Sequence, residues 1–176
     1  MEYRNISALT ATKFNSYIMI ANNQFIELDR KGNKIWSRKL LLNNYQSRRR
    51  AISVDKHYIF SYGNRRDGIT VIFDAQKKLR VKLPIHLHSL VSTNKGFLGV
   101  TSDTLKHFNL KGEELWSKHL NRITPTSARY NEVVKLKNDT FIVLGIDKEN
   151  TLWISNYTED GSLLWQNKTS TYKIYP

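Results

Sequence analysis

The sequence predicts an all-β protein built from four repeated units, each a sheet of four antiparallel strands. A nine-residue motif recurs at Leu28–Trp36, Phe108–Trp116 and Tyr157–Trp165, and reads apolar, Asx or Thr, two residues that are polar apart from Leu110, Gly, two residues, apolar, Trp. A fourth copy, Phe73–Val81, has Lys77 for the Gly and Val81 for the Trp. Successive copies lie 45, 35 and 49 residues apart, and a period near 40 residues indicates a repeat architecture.

The segments between the motif copies are typical of strands. Each is short, rich in Ile, Val, Phe, Tyr and Thr, and ends in Asn, Asp, Gly or Lys. No stretch of eleven residues shows a helical period, so no helix is predicted. We letter the four strands of each repeat A to D. In repeat one they are Ile6–Thr12, Tyr17–Ala21, Phe25–Asp29 and Lys34–Leu40, and in repeat two Ala51–Val54, Tyr58–Tyr62, Ile69–Asp74 and Leu79–Leu83.

The second half of the chain repeats this layout. Repeat three gives Ser89–Ser92, Gly96–Thr101, Leu105–Asn109 and Glu114–Leu120, and repeat four gives Glu132–Lys137, Phe141–Ile146, Leu152–Thr158 and Leu163–Thr169. Four antiparallel strands every 40-odd residues are the pattern of a β-propeller blade. The fold class predicted from the sequence is therefore a β-propeller of four blades.

The recurrent motif forms the C–D hairpin of each blade in this interpretation. The turn is closed by polar side chains and by glycines that supply a positive φ, which are Asp29, Asp74, Asn109, Gly32, Gly112 and Gly161. Trp36, Trp116 and Trp165 follow on strand D, where a large flat side chain can fill the wedge between neighbouring blades. We expect these three tryptophans to be largely buried docking residues, with Val81 in the equivalent place of repeat two.

The pattern Asp-x-x-Gly-x-x-apolar-Trp resembles the tryptophan-docking repeat of pyrroloquinoline-quinone-type (PQQ-like) propellers and, more distantly, the WD-repeat. The resemblance spans nearly the whole chain, and repeat two departs from it. It implies the propeller fold and says little about function. Quinone-cofactor chemistry in that family uses calcium-binding acids and, often, a vicinal cysteine pair; the chain has no cysteine and no visible acidic cluster, so that activity is not carried over.

The number of blades sets the expected assembly. Propellers of that family usually carry seven or eight blades, whereas this chain predicts four, at about 5–40, 50–83, 88–120 and 131–170, in a single domain spanning 1–176. We expect an open arc or half of a larger ring, with a closed four-blade ring as the alternative. An open arc leaves edge strands that can pair with another chain, so self-association is expected.

The charge indicates an acidic partner. The 28 Lys and Arg residues exceed the 15 Asp and Glu residues by 13, an excess that favours an acidic protein, nucleic acid or another polyanion. Blade topology places B–C and D–A loops on one rim and A–B and C–D loops on the other. The first rim gathers arginines, whose planar fork suits phosphate or carboxylate, and the predicted anion-binding residues are Arg48, Arg49, Arg50, Arg65, Arg66, Arg122 and Arg129. The second rim carries mostly lysine.

Signals for catalysis are poor. The absence of cysteine excludes disulfides, thiolate zinc sites and cysteine nucleophiles. His86 and His88 could begin a metal site but have no third ligand nearby, so no metal, cofactor or catalytic residue is predicted. With neither a signal peptide nor an apolar run of membrane-spanning length, we expect a cytoplasmic location. The sequence predicts a non-enzymatic interaction scaffold that binds a protein partner; the alternative is a fragment or half of a larger propeller enzyme whose catalytic groups lie elsewhere.

Overall fold

The predicted fold class is confirmed. A computed structural model describes residues 6–12, 15–39, 49–63, 68–120, 129–147 and 151–169. Sixteen strands form four separate sheets of four antiparallel strands each, and the described residues contain no α-helix. Each sheet is one blade, with its strands in chain order from A to D.

The chain divides into two compact units, Met1–Leu87 and His88–Pro176, with two blades in each. The N-terminal unit holds blades 1 and 2, whose strands are β1 Ala8–Ala11, β2 Tyr17–Ala21, β3 Gln24–Leu28, β4 Lys34–Lys39, β5 Arg50–Val54, β6 His57–Tyr62, β7 Ile69–Phe73 and β8 Leu79–Leu83. The C-terminal unit holds blades 3 and 4, whose strands are β9 Ser89–Ser92, β10 Gly96–Val100, β11 Thr104–Asn109, β12 Glu114–His119, β13 Arg129–Lys135, β14 Phe141–Ile146, β15 Leu152–Tyr157 and β16 Leu163–Lys168. A single domain over 1–176, and an arc or a ring, stay predictions.

The C–D hairpins of all four blades share one irregularity. The register shifts just before the turn, between Glu27 and Leu28, Ile72 and Phe73, His107 and Phe108, and Asn156 and Tyr157. An extra residue at this place is a β-bulge, which turns the strand and re-aims its side chains. The residue before each shift lies opposite the Trp of strand D, or opposite Val81 in blade 2, so these four positions are equivalent. We call them the bulge positions.

The core of the N-terminal unit lies between its two blades. Ile18, Ile20 and Phe25 of blade 1 pack with a group of buried blade 2 side chains, which includes Ala51, Tyr58, Phe60, Tyr62, Ile69, Val71 and Phe73. The rings of Phe25 and Phe60 stack with their centroids 4.3 Å apart. Alternation along the strands sends these residues to one face of each sheet, so burying them fixes the blade-to-blade contact of this unit.

The core of the C-terminal unit is built in the same way. Blade 3 supplies Leu98, Val100, Leu105 and Leu120, and blade 4 supplies Val133, Phe141, Val143 and Tyr157. Aliphatic side chains fill much of the volume that aromatic rings fill in the N-terminal unit. Each unit therefore contains one complete interface between two adjacent blades, and these two interfaces hold the residues considered next.

Candidate functional site

Most of the predicted arginine rim falls outside the part of the chain that the structure describes. Arg48, Arg65, Arg66 and Arg122 lie outside the described residues. Arg129 begins β13, and its side chain is not described. Only Arg49 and Arg50 can be placed, so the anion-binding role of this rim stays a prediction.

Arg49 makes contacts within the N-terminal unit. Its guanidinium donates hydrogen bonds to Asn23 Oδ1 at 3.1 Å and to Ser7 Oγ at 3.4 Å, both in blade 1. Arg50 donates from Nη1 to the Arg49 carbonyl oxygen at 3.3 Å. Burial lowers the pKa of Arg49 from its ordinary value. Arg49 thus connects the start of blade 2 to the B–C turn of blade 1, which gives it a structural contact as well as a charge.

Two of the three motif tryptophans contact the next blade of their unit. The ring of Trp36 meets Phe73 of blade 2 edge-on, with centroids 5.6 Å apart. Trp116 donates from Nε1 to the Glu159 carbonyl oxygen at 3.0 Å, in the C–D turn of blade 4. Its ring also covers Gly161, because a Cβ built on that glycine would lie 3.1 Å from the indole atoms. A tryptophan on strand D and the C–D turn of the following blade therefore form a matched joint.

The expected burial is wrong for Trp165, and Trp36 and Trp116 are only half-buried. Trp165 is 43% exposed on β16, beside the exposed Leu163 and Leu164. The physical reason is its position, since β16 is an edge strand and the last strand that the structure describes. A docking side chain becomes buried only where another blade supplies the turn that covers it.

The polar residues of the C–D turns accept backbone hydrogen bonds inside their own turns. Asp29 Oδ1 accepts from the N–H groups of Lys31 and Asn33, both at 2.8 Å, and Asn109 Oδ1 accepts from Lys111 and Glu113. The hydrogen bonds from Asn33 lower the pKa of Asp29. Asp74 accepts from the Lys78 N–H at 2.9 Å and pairs with Arg80 at 2.6 Å. Gly32, Gly112 and Gly161 have φ values of 85°, 82° and 84°, which side-chain-bearing residues rarely adopt.

A buried acid–base pair joins blades 1 and 2. Glu27, at the bulge position of blade 1, is 4% exposed. Its Oε1 accepts hydrogen bonds from Ser16 Oγ at 2.8 Å and Tyr58 Oη at 3.2 Å, and its Oε2 lies 3.1 Å from Lys77 Nζ. Lys77 occupies the turn position that is Gly in the other blades, with φ 60°. Because a Gly at this position has no side chain, Lys77 adds one that projects from the turn of blade 2 towards blade 1.

The electrostatics of this pair are set by burial and by the opposite charge. Burial alone lowers the pKa of Lys77, but the hydrogen bond and charge of Glu27 outweigh it, so the pKa of Lys77 is raised. Burial raises the pKa of Tyr58, and the negative charge of Glu27 raises it further. The phenol therefore stays protonated and serves Glu27 as a hydrogen-bond donor.

A cleft of about 290 Å³ opens beside this pair. Its lining consists of Ser16, Glu27, Ile35, Lys56, Tyr58, Ala75 and Lys77. Since Glu27 neutralises Lys77, Lys56 supplies the remaining positive charge. The cleft is large enough for one side chain or a small anionic group of a partner. Sequence reasoning missed this cleft; the available signals were a Glu in the middle of a C strand and a Lys in place of the motif Gly.

The bulge position of blade 3 carries an imidazole. His107 is buried, its Nε2 lies 2.9 Å from Thr93 Oγ1, and its ring meets that of Trp116 edge-on with centroids 5.5 Å apart. Burial lowers the pKa of His107, and the nearby Glu159 opposes this shift only in part. Glu159 accepts hydrogen bonds from the Lys95 N–H at 3.1 Å and from Asn94 Nδ2 at 3.2 Å. Blade 4 thus contributes an acid, Glu159, to the joint with blade 3, whereas blade 2 contributes a base, Lys77, to the joint with blade 1.

The described residues show no arrangement that would hold a metal. No group of three His, Cys, Asp or Glu side chains is clustered for that purpose among them. His86 is buried and His88 is half-buried.

None of the described residues belongs to a helix long and apolar enough to cross a membrane.

Comparisons with known proteins show the fold and no family. No protein-family model matches the chain, and no match was found among curated proteins. Solved structures that resemble it include the Pan2 WD40 domain of Neurospora crassa, with a TM-score of 0.64 and 10% identity over 92% of this chain and 51% of that chain. BBS1N in complex with ARL6DN has a TM-score of 0.67 and 13% identity, over 97% of this chain and 57% of that chain.

A third similar structure is the dihydro-heme d1 dehydrogenase NirN in complex with DHE. Its TM-score is 0.66 at 9% identity, over 94% of this chain and 38% of that chain. The chain spans between 51% and 60% of the length of the first three solved structures found. At these identities the likeness shows the fold alone. The chain therefore has a β-propeller fold.

Proposed function

We propose that the chain is a non-enzymatic propeller scaffold that binds an acidic protein or polyanion through its arginine-rich rim. The observation that carries this proposal is how the chain uses its acids. In four turns a carboxylate accepts a backbone N–H bond from its own loop: Asp29 from Lys31 and Asn33, Asp74 from Lys78, Asp147 from Thr151, and Asp160 from Ser162.

These hydrogen bonds hold the four carboxylates close to the backbone of their own turns. Most lysines of the second rim, by contrast, project into solvent, as Lys31, Lys34, Lys56 and Lys111 do. The net charge of +13 therefore gives the protein a positive surface, which attracts anions over a Debye length of about 10 Å.

The arginine rim is favoured as the specific site by chemistry. A guanidinium presents a planar fork that can bind a carboxylate or phosphate with two parallel hydrogen bonds, whereas an ammonium is a point charge. Arg49 holds blade 1, and its neighbours Arg48 and Arg50 flank it in sequence. The fold likeness to BBS1N, which was crystallised in complex with ARL6DN, supports a protein as the partner. Membership of the PQQ-like repeat family is part of the same proposal and rests on the motif.

The test compares two equal losses of charge. Arg48→Gln with Arg50→Gln removes two charges from the arginine rim and leaves Arg49 in place. Lys31→Gln with Lys111→Gln removes two exposed charges from the other rim. Binding to heparin and to a polyglutamate peptide is measured by fluorescence anisotropy over a range of salt concentrations, and circular dichroism confirms that both variants fold.

We expect the wild type to bind at least one probe, with an affinity that falls steeply as salt rises, since each contact releases counterions. The arginine variant should lose most of that affinity and the lysine variant little. Equal losses in the two variants would show diffuse attraction with no rim site. A wild type that ignores both probes at low salt would remove the proposal.

A further inference from the structure

Among the described residues, the docking tryptophan of blade 4 and the C–D turn of blade 1 each lack a counterpart. In the C-terminal unit, Trp116 covers Gly161 and bonds to the carbonyl oxygen two residues before it. Trp165 is the equivalent side chain of blade 4 and is 43% exposed. The equivalent turn of blade 1 contains Gly32, and no described residue comes within 4 Å of a Cβ built there. The two halves of a joint are therefore present, and no described residue supplies the counterpart of either.

A second pair of groups is open at the same two blades. Tyr58, the first buried residue of strand B in blade 2, is 4% exposed. Its hydroxyl donates a hydrogen bond to Glu27 at the bulge position of blade 1. The equivalent tyrosine of blade 1, Tyr17, is 40% exposed. The bulge position of blade 4 holds Asn156, which is buried, and its Oδ1 has no hydrogen-bond partner among the described residues. A buried acceptor without a donor costs free energy, so we expect Asn156 Oδ1 to accept a hydrogen bond from a group such as the Tyr17 hydroxyl.

The polar groups beside these positions are also complementary. In the joint between blades 3 and 4, Glu159 of the C–D turn accepts from the A–B turn of blade 3, through Asn94 and the Lys95 N–H. The residue equivalent to Glu159 in blade 1 is Arg30, an exposed cation whose guanidinium donates to Asn15 Oδ1 of its own blade. The A–B turn of blade 4 contains Asp139, an exposed acid that pairs with Lys135 of its own blade at 2.8 Å. Arg30 and Asp139 carry opposite charges, so the two surfaces are complementary in sign, and each side chain also has a partner in its own blade.

We propose that blade 4 of one chain docks against blade 1 of a second copy of the same chain. Trp165 packs on the Gly32 turn of the second copy and donates to the Arg30 carbonyl oxygen, and Tyr17 of the second copy donates to Asn156. The exposed Leu163 and Leu164 of β16 lie beside this contact. Because the two halves of the joint are different surfaces of one chain, the contact is heterologous, and a closed dimer is the smallest assembly that makes every joint. This inference does not depend on the anion-binding proposal.

The test uses two variants that each remove one half of the joint. Trp165→Ala removes the docking side chain, and it changes an exposed residue. Gly32→Asn places a side chain where the indole would lie, and Asn is the residue type that best tolerates a positive φ, as Asn22 and Asn23 do at 50° and 57°. Leu115→Ser is the matched control, because Leu115 is 44% exposed and precedes Trp116 as Leu164 precedes Trp165. Sedimentation equilibrium measures the mass of each protein as a function of concentration.

We expect the wild type and Leu115→Ser to dimerise alike, and both joint variants to raise the dimer dissociation constant about tenfold or more, as loss of a central tryptophan commonly does. A mixture of the two variants should regain dimers, because one intact Trp165 can then meet one intact Gly32 turn. A wild type that stays monomeric at its highest soluble concentration would overturn the proposal. So would a dimer that resists both variants, or a mixture that associates no better than its components.

Discussion

The bulge position at the joint between blades 1 and 2 holds a carboxylate, whereas the one at the joint between blades 3 and 4 holds an imidazole. Glu27 and His107 occupy the same bulge position, each opposite a docking tryptophan. Glu27 takes its partners from its own blade and from blade 2, as Ser16, Tyr58 and Lys77. His107 is bonded to Thr93 of its own blade, and the acid of blade 4 bonds to the turn that carries Thr93 and Lys95.

The difference shows that the two joints share the same backbone irregularity, whereas the polar groups at that position differ. A buried polar group costs free energy unless it is hydrogen-bonded, so each bulge residue has to be matched to its neighbours. In the N-terminal unit the match crosses from one blade to the next as an ion pair. In the C-terminal unit the match at the bulge position is made within blade 3, and the blades are tied through Trp116.

The largest expected effect is the loss of Trp116. Trp116→Ala removes the hydrogen bond to Glu159 and the ring that covers Gly161, and should lower the free energy of unfolding by about 3 kcal/mol or more. Trp165→Ala removes the same residue type from an exposed place and should cost less than about 1 kcal/mol in the monomer. Urea denaturation at low protein concentration measures both. Equal costs would show that the joint with blade 4 contributes nothing beyond the indole itself.

The ion pair of the N-terminal unit should give the next largest effect. Lys77→Met leaves the buried Glu27 without its counter-charge and should cost about 2–4 kcal/mol, since an unpaired buried charge is destabilising. Glu159→Gln in the C-terminal unit changes an acid that bonds to an exposed turn, and should cost less than about 1 kcal/mol. The double variant Glu27→Leu, Lys77→Met should recover much of the loss. If it unfolds as easily as Lys77→Met alone, packing of Lys77 matters more than its charge.

The two joints should also respond to opposite ends of the pH range. The pKa of His107 is lowered by burial, so below its ordinary value of 6.5 the unfolded chain takes up a proton that the folded chain resists. Stability supplied by neutral His107 is therefore present above pH 6.5 and falls as the pH drops towards the lowered value. The pKa of Lys77 is raised, so its contribution is present below 10.5 and is lost as the pH rises through the raised value.

Hydrogen exchange resolved by peptide separates these two responses. Acid should increase exchange in β10 and β11 of the wild type more than in a His107→Gln variant. Alkali should destabilise the N-terminal unit of the wild type more than that of the double variant Glu27→Leu, Lys77→Met. A His107→Gln protein with the same acid profile as the wild type would assign the acid response to other groups.

The smallest expected effect is the loss of one hydroxyl. Tyr58→Phe removes a hydrogen bond to Glu27 and should cost about 1 kcal/mol. Tyr17→Phe changes the equivalent but exposed residue and should leave the unfolding of the monomer unchanged. Thermal unfolding of the two variants, followed side by side at low concentration, checks this difference. A cost for Tyr17→Phe equal to that of Tyr58→Phe would mean that Tyr17 has a partner within its own chain.

The strands were predictable because their signal is local. Tyr17–Ala21, Leu79–Leu83, Ser89–Ser92 and Phe141–Ile146 have the bounds that the sequence predicts, since each is a short apolar or alternating segment between turn residues. The C–D hairpins were predictable for the same reason. Strand β13 begins at Arg129, earlier than the predicted Glu132, because its register shifts between Tyr130 and Glu132 and pairing continues beyond that irregularity.

The site was harder to predict because its residues come from different blades. Glu27 and Lys77 lie fifty residues apart in the chain, and only the packing of blade 1 on blade 2 brings them together. Arg49 looked like a surface cation from its neighbours in sequence, but two side chains of blade 1 bind it. Burial of Trp165 was expected from its motif alone, whereas burial depends on the next turn being there.

The bulge positions also give the repeat an order. If blades 2 and 4 exchanged places, the acid of Glu159 would approach Glu27, and Lys77 would face a neutral, buried imidazole. Tyr58 would be lost to Glu27, because the corresponding residue of blade 4 is Phe141, which has no hydroxyl. Sheets with nearly the same backbone can mispair during folding, and a like-charge contact makes that mistake unfavourable. A buried polar residue in an otherwise apolar interface thus determines which two blades can pair.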